Sequence, residues 1–120
     1  MIKFVVISFA VLTSLGSGCN KGGKEGSASK SCIDSLKEQI LNLAPRIPAA
    51  TIWQYTYNDS VVYLVRAPCC DQFNPLYNLE CKVVCHPDGG ITGKGDGKCN
   101  DFYRTANDKL LIWTDSRTTE

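Results

Sequence analysis

The chain holds a single histidine, His86, in 120 residues. Any triad or Cys–His chemistry would have to run through that one imidazole. A Gly-x-Ser-x-Gly nucleophile elbow is missing. A phosphate loop is missing too, since it requires Gly, four residues, then Gly-Lys-Ser/Thr. Behind Gly93-Lys94 the first required position holds Asp88, behind Gly97-Lys98 it holds Thr92, and neither lysine precedes Ser or Thr. No nucleotide or other cofactor is therefore expected, and the chain does not read as an enzyme. An excess of charge is lacking as well, with 13 basic and 12 acidic residues. Setting aside Lys3, Lys21, Lys24, Lys30 and Glu25 leaves 9 basic and 11 acidic residues from Ser31 onward. A net charge near −2 is not a nucleic-acid footprint. No repeat is visible, and no apolar run reaches the ~20 residues of a membrane-spanning helix.

Cysteine is plentiful by contrast, at seven residues. The first of them follows a distinctive N-terminus. Lys3 is the only charge in the first twenty residues, Phe4 to Leu15 is mainly apolar, and Gly16-Ser17-Gly18 leads into Cys19. Short basic start, apolar middle and small-residue cleavage site make a secretory signal peptide over residues 1–18. A cysteine at the first mature position resembles a bacterial lipoprotein, in which that residue is lipidated; Cys19 is the expected attachment site. Gly16 stands where such signals usually carry Leu, so plain secretory cleavage releasing a soluble protein is the alternative. Parity favours lipidation, because removing Cys19 leaves six cysteines: Cys32, Cys69, Cys70, Cys81, Cys85 and Cys99. An even set in an oxidising compartment is expected to close three disulfides. Cys69 and Cys70 are expected to reach different partners.

Residues 19–30 are polar and Gly/Lys/Ser-rich, a flexible tether with a reach of ~20 Å. Residues 31–120 form one small domain, whose modest core needs the disulfides as a supplement. Ser31 with Asp34 three residues on reads as a helix start. Ile33, Leu36, Ile40 and Leu43 then fall on one helical face, and Pro45 ends the helix near Leu43. Ile52–Tyr57 and Val61–Arg66 are strands joined through Asn58-Asp59, residues that tolerate the positive φ of a two-residue hairpin turn. Pairing Tyr57 with Ser60 puts Trp53, Tyr55, Val62 and Leu64 on one face, and Ile52, Gln54, Val61, Tyr63 and Val65 on the other. The first face is expected to meet the helix, its aromatic row serving as core rather than as a carbohydrate platform. Cys81–Cys85 and Leu110–Thr114 are further strand candidates, and Asp115–Glu120 a polar tail. The fold class is thus α+β: one N-terminal helix packed on a small antiparallel sheet, disulfide-stapled, with a long Gly-rich loop.

That loop, His86 to Lys98, holds five glycines between Cys85 and Cys99. Glycine supplies positive φ and close backbone approach, but each ordered glycine loses more freedom than any other residue. The loop is therefore expected to be pinned at its ends by Cys85 and Cys99 and to be ordered inside. Its candidate surface is Asp88, Gly89, Gly90, Lys94, Asp96 and Lys98. Asp88 and Asp96 could contribute to a calcium site, although the spacing fits no EF-hand; turns and disulfides alone are the favoured account, with no metal. Lys94 or Lys98 could instead be offered to a trypsin-like pocket, a protease-inhibitor reading.

IWQYTY, VVYLV, PCCDQFNPLY, CHPDGGITGKGDGKCNDF and the closing LIW resemble a family of small exported proteins and lipoproteins associated with Bacteroidota-type bacteria. The resemblance covers about residues 48–114 and implies an envelope location, but no activity or ligand. The expectation is a lipid-anchored cell-envelope protein, held to the membrane through Cys19, whose non-enzymatic domain binds or scaffolds an unknown envelope or extracellular partner.

Overall fold

The computed structural model describes residues 30–69 and 71–117. The signal segment, Cys19, most of the tether, Cys70 and residues 118–120 lie outside the described residues. Helix α1 spans Cys32–Leu41. Ser31 is its N-cap, accepting from the Asp34 amide at 3.2 Å and donating its hydroxyl to the Asp34 carboxylate at 2.7 Å. This satisfies one of the orphan donors of the first turn.

Strands β1 (Thr51–Tyr57), β2 (Ser60–Val65), β3 (Phe73–Tyr77), β4 (Val83–Gly89) and β5 (Asn107–Thr114) form one antiparallel sheet in the order β4-β3-β2-β1-β5. A short helix α2, Phe102–Thr105, precedes β5. Tyr57 pairs with Ser60, and Asn58 and Asp59 both have positive φ, as the hairpin reading requires. β3 escaped the sequence reading because Pro75 lacks an amide for the ladder. The register with β4 shifts between Asn74 and Leu76, so the proline falls in an irregularity. The expected strand at Cys81–Cys85 begins later, at Val83, and runs on through His86-Pro87-Asp88-Gly89. Asn78 causes the delay: its side chain accepts from the Glu80 and Lys82 amides, and Cys81 adopts positive φ in the resulting turn. Asp108 also has positive φ, and β5 starts three residues before the expected Leu110.

The sheet is covered on both faces, and the helix lies on the face opposite to the expected one. Cys32 and Leu36 of α1 pack with Ile52, Tyr63 and Val65. The Tyr55, Val62 and Leu64 face is closed instead by Phe102, Cys85 and Cys99. Phe102 is fully buried and meets Tyr55 and Tyr57 edge-on at centroid distances of 5.0 and 5.3 Å. Both hairpin faces are apolar, so alternation alone could not assign the helix to one of them.

Two disulfides join these layers. Cys32–Cys81 ties the first turn of α1 to the β3–β4 turn, and Cys85–Cys99 closes the Gly-rich segment. Cys69 is also disulfide-bonded. Its partner is none of Cys32, Cys81, Cys85 and Cys99, which pair among themselves, and the expectation for Cys70 lies outside the described residues.

The C-terminal segment is not simply a polar tail. Asp115 is buried, its amide donates to the Ala50 carbonyl at 2.8 Å, and its carboxylate accepts from Arg117 at 2.8 and 3.0 Å. Arg117 also donates to the Ile40, Leu41 and Leu43 carbonyls at 2.9 to 3.2 Å. A cation on the last turn satisfies orphan carbonyls and suits the negative end of the helix dipole. Arg117 holds the Asp115 carboxyl below the usual carboxylate range.

Candidate functional site

The Gly-rich segment is a folded-back turn rather than an open loop. Gly89, Gly90, Gly93, Gly95 and Gly97 all have positive φ. At Gly95 a Cβ would lie 2.0 Å from the His86 carbonyl oxygen, so the backbones touch there. Gly90 is buried, and a Cβ on it would meet the Phe73 ring at 2.5 Å. Gly90 is thus scaffold rather than surface, Gly89 is half-buried, and Lys94 and Lys98 are exposed.

Both aspartates face protein donors. Asp96 accepts from the Lys98 amide at 3.0 Å, and from the His86 amide and ring Nδ1 at 3.0 and 2.9 Å. The Lys98 amide and the His86 ring hold its carboxyl below the usual range. Asp88 accepts from Asn74 Nδ2 and from the Tyr103 hydroxyl, both at 2.7 Å. Asn74 in turn accepts from the Ala67 amide at 2.7 Å. The two carboxylates therefore act as internal ties. Among the described residues no group of three or more His, Cys, Asp or Glu side chains could hold a metal ion.

Asp88 leads to a feature the sequence did not single out. On the sheet face away from α1 lies an open cleft of about 470 Å³, lined by Trp53, Tyr55, Leu64, Arg66, Tyr103, Ala106 and Lys109. Trp53, Tyr55 and Leu64 are core-forming, as expected for the aromatic row, but Trp53 is only half-buried. Tyr103 is 53% exposed. Burial and the Asp88 carboxylate push its phenol well above the usual range, so the hydroxyl stays a donor to Asp88 at neutral pH. Edge-on contact with Phe102 at 5.0 Å fixes the ring further. Lys109 Nζ stands 4.5 Å from the Trp53 ring centroid. Arg66 shares the face of Val62 and Leu64 by strand alternation and is exposed. The aromatic row of Trp53 and Tyr55 was visible in the sequence, whereas Arg66, Tyr103 and Lys109 join it only through the fold. A second hollow, of about 380 Å³, lies beside Arg46, Pro48 and Gln72. Arg46 already donates to the Arg66 carbonyl there.

Sheet, helix, bridges and cleft define a small disulfide-stapled α+β domain. Residues 38–115 match the family model described as Domain of unknown function (DUF6970). The match spans more than half of the chain, and the protein belongs to this family. No curated protein and no solved structure matches it.

Proposed function

We propose that the protein is an exported, lipid-anchored cell-envelope domain that binds a ligand without transforming it. The observation that carries the binding part is the cleft of Trp53, Tyr55, Tyr103, Arg66 and Lys109, an open concave surface of aromatic rings and exposed cations. Such a surface recognises rather than reacts. His86, the one imidazole, stands outside it and is spent on Asp96 in tying the turn. The disulfides suit an oxidising compartment, and the Lys3-to-Cys19 layout supports export and lipidation. The partner is an envelope or extracellular molecule, not nucleic acid.

The shape of the Gly-rich segment favours this reading over a protease inhibitor. A loop offered to a protease groove is extended, whereas Lys94 is bridged to Gly89 and sits between Gly93 and Gly95, both at positive φ. The test is the mass and location of the mature chain. Membrane-extracted protein should lack residues 1–18 and carry acyl mass on Cys19, and Cys19→Ser should move it to the soluble fraction. A wild-type protein that is soluble and unmodified would sink the anchored reading.

A further inference from the structure

We infer that the cleft takes an acidic saccharide, a pyranose ring bearing a carboxylate; this rests on the reading of the domain as a binding module. The volume, about 470 Å³, lies in the range of small-ligand sites. Its walls include the rings of Trp53 and Tyr103. An aromatic face is negative, so it attracts the weakly positive C–H hydrogens on one side of a sugar ring. The Asp88 hydrogen bond and the Phe102 contact hold Tyr103 in place before any ligand arrives, which lowers the ordering cost of binding.

The cations specify the acid. Arg66 and Lys109 both line the cleft, and neither has an ion pair among the described residues. No carboxylate is among the cleft's lining residues. Lys109 lies over the face of Trp53, a weak attraction at an exposed site. A ligand carboxylate offers the ammonium a stronger, charge-assisted hydrogen bond. It would draw Lys109 off the indole and leave that face to the sugar, while the Arg66 guanidinium accommodates the same charge. A single-stranded nucleic acid would also stack and pair with cations. The net charge near −2 from Ser31 onward opposes a polyanion of that length, whereas one carboxylate needs only the local pair.

Calorimetric titration of the full chain with tetragalacturonate and with neutral galactotetraose tests this. The acidic sugar should bind at least tenfold more tightly, and its affinity alone should fall as salt rises from about 0.05 to about 0.5 M. Arg66→Gln and Lys109→Gln should each weaken it about tenfold. Tyr103→Ala should remove binding of both sugars. All three positions are exposed, so thermal melts should show these variants folded. Equal affinity for the neutral sugar, lost in Tyr103→Ala, overturns the acidic class and leaves the cleft as the site. Absence of binding by either sugar, or binding unchanged by Tyr103→Ala, overturns the cleft assignment too. Tighter binding of a short oligothymidylate through the same residues overturns the saccharide in favour of nucleic acid.

Discussion

Gly95→Ala separates two reasons for glycine, and Gly97→Ala is its control. Both positions are left-handed, at φ +70° and +80°. Alanine at either carries a backbone penalty of about 1–2 kcal/mol, partly offset because alanine also restricts the unfolded chain. At Gly97 nothing lies within 4 Å of the added Cβ, so the cost stops there. At Gly95 the new Cβ meets the His86 oxygen at 2.0 Å, the Pro87 carbonyl carbon at 2.8 Å and the Asp88 amide at 2.9 Å, all backbone of β4. The turn must retreat by about 1.4 Å to open the 2.0 Å approach to an ordinary contact of 3.4 Å. That movement breaks the bonds from the Gly95 amide to the Gly89 carbonyl, 3.1 Å, and from the Asp96 amide to the His86 carbonyl, 3.0 Å. Each is worth roughly 1 kcal/mol net. The expected loss is therefore about 3 kcal/mol at Gly95 against roughly 1 kcal/mol at Gly97. For a domain of this size each kcal/mol moves the melting temperature by about 4–8 °C. Thermal melts by circular dichroism with disulfides intact should place Gly95→Ala at least about 12 °C below wild type and Gly97→Ala within about 8 °C of it. A difference between the variants under about 1 kcal/mol would refute the close approach as the reason for Gly95.

The Cys85→Ser/Cys99→Ser variant should lose about 3 kcal/mol and Cys32→Ser/Cys81→Ser about 4 kcal/mol by loop-closure entropy, measured in urea melts. The larger loss belongs to the larger loop, with separations of 49 and 14 residues, and the reverse order would argue against that origin. The Asp96 and Asp115 carboxyls are depressed, so their stabilisation is present above the unfolded carboxylate pKa, near 4, and disappears as pH falls through their folded values. Stability measured from pH 7 to pH 2 should fall on the acid side, and Asp96→Asn and Asp115→Asn should each flatten that limb; an unchanged limb would count against both ties. Millimolar calcium should leave the melting temperature of chelator-treated protein unaltered, since a ligand of the folded state must raise it. A rise abolished by Asp96→Ala would restore a calcium site.

Where interactions are local in sequence, they were legible. The Ser31 cap and the Asn58-Asp59 hairpin depend on residues a few positions apart. The pinned ends of the Gly-rich segment follow from cysteine spacing and glycine entropy. Non-local choices were not legible. Val62 and Leu64 are as apolar as Tyr63 and Val65, so the pattern could not say which side α1 covers. Pro75 hid β3, because its missing amide reads as a breaker unless the bulge is known. The Arg117 cap joins residues 74 to 77 positions apart, and nothing near Arg117 announces it. The cleft draws Trp53, Arg66, Tyr103 and Lys109 from four segments, and only the fold brings them together.

The Cys32–Cys81 bridge has a mechanical consequence. Cys32 is the first residue of α1, two positions after Lys30. Tension entering the domain from its N-terminal side loads the Ser31 cap bonds first, and then meets a covalent crosslink before it can act on the rest of the helix. The load passes to Cys81 in the β3–β4 turn, bypassing α1. At the other end of α1, Arg117 ties the last carbonyls to the chain segment that follows β5. Without the bridge, the same pull would unwind α1 turn by turn, each step opposed only by hydrogen bonds and packing. With it, the helix beyond Cys32 is shielded, and the load falls on the β3–β4 turn instead.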